Sequence, residues 1–126
     1  MYSVEEIMKV AIIGSRNLKI ENLEKYLPRK TDEIVSGGAS GIDACAARWA
    51  KEHGLALTEF LPQYKKYGRA APILRNRQIA EYADCAIAFW DGRSRGTKYT
   101  VQEFKKQGKE VWVYLCASSN TLVKIE

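Results

Sequence analysis

The stretch Ser36-Gly37-Gly38-Ala39-Ser40-Gly41-Ile42-Asp43 runs from an apolar segment through a glycine-rich turn into the best-patterned helical segment of the chain. Glycines let a backbone come close to an anion, and the first N–H groups of a helix, at the positive end of its dipole, point toward it. Phosphate is the natural guest of such a turn, with Gly37, Gly38, Ala39, Ser40 and Gly41 as its cradle. No Lys-Ser/Thr follows the last glycine and the spacing is not GxGxxG, which disfavours a triphosphate hydrolase and a standard dinucleotide enzyme. The plainer alternative is a tight turn with Ser40 as helix N-cap.

Two further turns have the same character. Gly92-Arg93-Ser94-Arg95-Gly96-Thr97 again passes from an apolar run to a helix, and Thr97 serves either as a cap or as a hydroxyl donor to a phosphate oxygen. Gly14-Ser15-Arg16 follows the first apolar run. Asp43, in the first helical turn, either complements the dipole or bonds a ribose hydroxyl. Arg75-Asn76-Arg77 opens another helix, where Asn76 would read a base edge or ribose while an arginine forks onto phosphate. Trp90, Tyr64, Tyr67 and Tyr99 are candidate stacking rings, although an aromatic at a strand end more often belongs to the core. His53 is the single histidine, expected at a helix C-terminus on the far edge, so histidine-dependent catalysis and a transition-metal site are both disfavoured.

These residues need elements to position them. Apolar runs over Val10 to Ile13, Glu33 to Val35, Leu55 to Leu61, Cys85 to Trp90 and Val111 to Leu115 read as strands. Thr58 and Glu59 interrupt the third, which marks it as an edge. Between the strands, helical periods cover Glu21 to Leu27, the segment opened by Ile42 and stopped at His53-Gly54, Ile73 to Tyr82, and Thr97 to Gln107. Strict alternation predicts an α/β fold, a Rossmann-like open doubly wound parallel sheet of order 3-2-1-4-5 with helices on both faces. In such a sheet ligands sit beyond the carboxyl ends of the strands, the edge to which Arg16, Lys65, Lys66, Arg69, Arg93 and Arg95 belong. The tail after Leu115 is left open between coil and a short extra edge strand.

Composition bounds the rest. The 126 residues suit one domain over 1–126, with a core of about 9–114, and a net charge of +5 from 20 Lys and Arg against 15 Asp and Glu biases the protein toward anionic partners. The three cysteines, Cys45, Cys85 and Cys116, lie in apolar patterns without metal-type spacing and read as reduced core residues, hence a cytoplasmic setting. The opening MYSVEEIMKV carries no export signal, and no run approaches the ~20 residues that cross a bilayer. No metal or other cofactor is required by these motifs, no membrane partner is expected, and self-association is left open.

Taken together, the ordered motifs GSR, VSGGASGID, APILRNRQIAEYAD and AFWDGRSRGT resemble the SLOG superfamily of Rossmann-like proteins, in particular its small YpsA-related stand-alone branch. Relatives of that branch include the DNA-processing protein A core, the lonely-guy phosphoribohydrolases and molybdenum-cofactor carrier proteins. The resemblance runs from about Lys9 to Tyr114. It implies binding of a nucleotide or nucleotide-derived small molecule through Gly14, Ser15, Arg16, Gly37, Gly38, Gly41, Asp43, Arg75, Asn76, Gly96 and Thr97. In some branches it also implies N-glycosidic bond cleavage, for which Asp43 is the best placed carboxylate. One departure weakens the hydrolase reading: the glutamate that branch carries soon after its Gly-Thr is missing, and Glu103 lies six residues past Thr97, roughly 9 Å along a helix. Single-stranded nucleic-acid binding on the basic rim ranks third.

Overall fold

The structure is a computed structural model that describes residues 8–116 and 122–125. The opening residues 1–7, read above for export signals, lie outside the described part. Six strands, β1 (Met8–Gly14), β2 (Thr31–Ser36), β3 (Ala56–Glu59), β4 (Cys85–Trp90), β5 (Val111–Cys116) and β6 (Leu122–Lys124), form one sheet in the order β3-β2-β1-β4-β5-β6. All neighbours pair in parallel except β6, which runs antiparallel to β5. The expected order is present, and the tail left open above ends in the extra edge strand.

The two central strands explain themselves. Val10 to Ile13 in β1 and Cys85 to Phe89 in β4 are buried at every position, as a strand covered on both faces requires. One face packs Val10, Ile12, Ile34, Ile87 and Phe89 against Ile42, Ala46 and Ala50 of α1 (Ile42–Glu52). The other packs Ala11, Ile13, Val35, Ala86 and Ala88 against the helices that flank β4. Small alanines on that face let two helices settle close to the sheet. At the edge, β3 is shorter than the run Leu55 to Leu61, with exposed residues at its two ends and half-buried ones between them.

Helices differ from expectation in instructive ways. Over Glu21 to Leu27 there is only a 3-10 turn, Leu23–Lys25, entered through Asn22 in the left-handed region at φ 56°. Its apolar residues still reach the sheet: Leu23 is buried, and Tyr26 meets Phe89 and Tyr114 edge-on at 5.1 and 4.9 Å between ring centres. Helical spacing is thus satisfied by a loop that anchors one side chain at a time. The loop after β3 contains a short helix, α2 (Tyr64–Tyr67).

Helices α3 (Ala71–Tyr82) and α4 (Arg95–Lys106) each begin two residues early. Pro72 is tolerated because first-turn N–H groups need no intrahelical partner. Ser94 caps α4 by accepting a hydrogen bond from the Thr97 N–H at 3.4 Å. Of the cysteines, all free thiols, only Cys85 is buried, which together with nearby Asp84 and Glu110 pushes its thiol up to about 11; Cys45 and Cys116 are half-buried, which corrects their placement in the core. Among the described residues no helix is long and apolar enough to cross a membrane.

The C-terminus of α3 is closed by Lys109, whose Nζ donates to the carbonyl oxygens of Ala80, Glu81 and Ala83 at 2.7, 2.9 and 2.7 Å. A cation on otherwise unpaired terminal carbonyls complements the dipole and satisfies acceptors at once. Lys109→Met is expected to lower unfolding free energy by about 1–2 kcal/mol in urea titration, with an unchanged far-ultraviolet dichroism spectrum at zero denaturant.

Candidate functional site

Strands β1, β2 and β4 deliver their carboxyl ends side by side, and the loops that follow enclose a cleft of about 450 Å³. Gly14, Ser15, Arg16 and Asn17 line it from the first loop, and Gly37, Ala39 and Asp43 from the second. Pro72, Arg75, Asn76 and Ile79 come from α3, and Asp91, Ser94, Gly96, Thr97 and Thr100 from β4 and α4. Gly38, Ser40 and Gly41, expected in the phosphate cradle, do not line the cleft.

The reason is where the loop N–H groups go. Gly38 donates to its neighbour Ser36 Oγ at 3.3 Å, Ala39 to Asp43 Oδ2 at 3.1 Å, and Ile42 to the Ser15 carbonyl at 3.4 Å. The turn is therefore braced from within. Gly41, at φ +73°, sits so close to the first loop that a Cβ there would lie 2.4 Å from the Arg16 carbonyl oxygen. A Cβ on Gly37 would lie 2.6 Å from Arg75 Nη1 and 2.9 Å from Asp43 Oδ2. These glycines let protein approach protein.

The start of α4 is different. Gly96 and Thr97 line the cleft, Gly96 is exposed, and a Cβ on Gly96 would meet nothing within 4 Å. First-turn N–H groups have no intrahelical acceptor by position. Of the two helix starts, that of α4 borders the cleft through Gly96 and Thr97, with the Thr97 N–H capped by Ser94 Oγ at 3.4 Å, while α1 begins behind its own braced turn.

Residues 8–67, which carry β1, the glycine turn and α1, match the model of the YspA, cpYpsA-related SLOG family. Over that stretch the chain is similar to the SLOG superfamily. It is 37% identical over 81 residues to the gene 61 protein of Mycobacterium phage D29, a match over 60% of this chain and 65% of the phage protein. DNA processing protein A (DprA) from Streptococcus pneumoniae, solved by X-ray, shares the fold with a TM-score of 0.68 at 22% identity, over 85% of this chain and 50% of that one. This chain therefore spans less than two thirds of the phage protein and half of the DprA chain.

Within the cleft the two arginines have separate duties. Arg75 Nη1 donates to the Gly37 carbonyl at 2.6 Å and to the Phe60 carbonyl at 3.4 Å, and its Nε to Asn76 Oδ1 at 2.8 Å. It ties the loops after β2 and β3 to α3. Arg16 is exposed at the mouth, and its guanidinium makes no hydrogen bond among the described residues. Arg16 is the cation left for a ligand.

Ser15, expected at a ligand, is buried: its Oγ accepts from the Asp91 N–H at 3.2 Å and its own N–H donates to the Phe89 carbonyl at 3.1 Å. Asp91 was not anticipated, although Asp-Gly-Arg-Ser before a helix is a side-chain turn signature. Its Oδ1 accepts from the N–H groups of Arg93 and Ser94 at 2.8 and 2.7 Å. Burial acts to raise its pKa, and these bonds, with those from the Ser15 and Asn17 side chains, outweigh it and leave the carboxyl below the ordinary range.

Asp43 is the opposite case. It is 8% exposed; burial raises its pKa most, the Ala39 N–H, Arg75 and Arg16 oppose it, Glu59 adds to it, and the net effect is upward. Glu103 lies outside the cleft and accepts from Gln107 Nε2 at 3.0 Å. Trp90 is a core ring whose Nε1 donates to the Ser94 carbonyl at 2.9 Å. His53 closes α1, stacked on Trp49 at 4.1 Å. Among the described residues no group of three or more His, Cys, Asp or Glu is placed to hold a metal ion.

Two outcomes follow. Gly41→Ala must take a left-handed backbone and displace Arg16, so thermal and urea unfolding should show a loss of about 1–3 kcal/mol. For Asp43, a raised folded-state pKa means the native protein holds the proton more tightly than the unfolded chain. Wild-type stability then falls as pH rises from the ordinary aspartate range through the raised value, and levels off above it. Asp43→Asn keeps an acceptor for Ala39 and lacks this decline. Its stability relative to wild type should rise between acidic and neutral pH in paired urea titrations.

Proposed function

We propose that this domain binds or senses a nucleotide or nucleotide-derived phosphate ligand in the cleft beyond the carboxyl ends of β1, β2 and β4. One observation carries the reading: the exposed Arg16, the start of α4 at Gly96 and Thr97, and the buried Asp43 line one cavity of about 450 Å³. That volume falls within the roughly 300–1,000 Å³ usual for small-ligand sites. Phosphate belongs at the α4 start, where dipole and N–H groups favour an anion. Arg16 screens it from the mouth. A ribose hydroxyl donating to Asp43 would offset part of the penalty that burial places on this carboxylate. Asn76, its Oδ1 held by Arg75, presents its amide to sugar or base.

Kinship supports the same class of ligand at a coarser level, since a fold neighbour is named for DNA processing. A second reading, hydrolysis of a nucleoside phosphate at its N-glycosidic bond, is favoured by the upward-shifted Asp43, a cleft carboxyl that burial makes easier to protonate than an exposed one. Chromatography for free base after incubation with nucleoside monophosphates separates the two, with Asp43→Ala as the control.

Calorimetric titration with AMP, ADP and ADP-ribose tests the binding itself. Arg16→Ala should weaken the best of these about tenfold or more while shifting the ligand-free melting temperature little, because the exposed guanidinium makes no hydrogen bond among the described residues and acts on Asp43 only through its charge. Absence of binding by the wild-type protein across that panel would defeat the proposal.

A further inference from the structure

The cleft offers charge and hydrogen bonds but no ring: its apolar walls are Ile13, Pro72 and Ile79, and no aromatic side chain lines it. A base attached to a sugar phosphate held there needs a flat partner elsewhere. Beside the mouth, residues 63–70 are exposed at every position although they are ordered as α2 and a 3-10 turn, Gly68–Ala70. From Phe60 to Ala80 the chain has no acid, against Lys65, Lys66, Arg69, Arg75 and Arg77.

Most rings near this edge are already engaged. Lys66 Nζ lies over the Tyr67 ring at 5.2 Å, Tyr82 contacts Phe60 and Lys9, and Trp90 packs on the core. Tyr64 is 56% exposed and makes no ring contact among the described residues. It sits on α2, which packs against α3, the helix that carries the cleft-lining Arg75. Leu61, 59% exposed, folds against Gly38 on the same rim.

We propose that Tyr64 is the platform on which the ligand's aromatic base stacks, so that the ligand class is a nucleoside phosphate whose base lies outside the cleft. The inference rests on the binding role proposed above and adds which part of the ligand gives selectivity. An exposed ring next to a cation-rich, acid-free surface suits a flat group tethered to an anion, since stacking contributes through the ring face whatever the base.

The test compares ribose 5-phosphate with AMP, GMP, CMP and UMP by calorimetry on wild type, Tyr64→Ala and Tyr64→Phe. Tyr64→Ala should weaken the nucleotides between about fivefold and about a hundredfold. Ribose 5-phosphate should change by less than about twofold, and Tyr64→Phe should bind like wild type. Equal loss for sugar phosphate and nucleotides, or no loss for nucleotides, overturns the platform while leaving the cleft reading intact. Failure of every probe to bind wild type overturns both.

Discussion

Two loops of this domain meet more closely than a β-carbon permits, and the rest of the site depends on that approach. Gly41 lies against the Arg16 backbone and Gly37 lies between Arg75 and Asp43, each with less than 3 Å for an added carbon. Because the first and second loops are locked together, the ends of β1, β2 and β4 enclose a shared hollow instead of fraying separately into solvent. Ser15 completes the lock through the Asp91 and Ile42 N–H groups. Any side chain wedged at Gly41 moves Arg16, the cation at the mouth.

The electrostatics follow from the same packing. Burial beneath the glycine turn sets Asp43 above its ordinary pKa, whereas Asp91, with several donors converging on it, is held below. Two carboxyl groups in one cleft are thereby pushed in opposite directions by their surroundings, a contrast that often accompanies function. Asp91 shapes the start of α4; Asp43 is a standing stability cost with lone pairs facing the cavity. Arg75 spends its donors on the Gly37 and Phe60 carbonyls, so positive charge in the cleft comes in one structural and one available form.

Much of this was legible in residue order. Continuous apolar runs mark β1 and β4 because both faces are covered, and α1 announces itself through Ile42, Ala46 and Ala50 with a stop at His53-Gly54. Glu21 to Leu27 misleads because Leu23 and Tyr26 have helical spacing yet dock singly, with Asn22 left-handed and Pro28 close behind. Most of the anticipated site residues line the cleft, since strand ends can be located from sequence. Their partners cannot be. That Arg75 would reach Gly37, thirty-eight positions away, or that Gly38 would bond Ser36 in place of a ligand, depends on side-chain paths across the sheet edge.

The central claim is that a phosphate-bearing ligand enters the hollow bounded by Arg16, Asp43 and the start of α4. Titrating AMP into nitrogen-15-labelled protein and following amide resonances tests it most directly. The account predicts the largest shifts at Arg16, Asn17, Ala39, Gly96 and Thr97, with His53 and Lys109 on the opposite edge unmoved. Saturable shifts centred instead on the outer face of α1 around Arg48 and Trp49, or none at all, would contradict it.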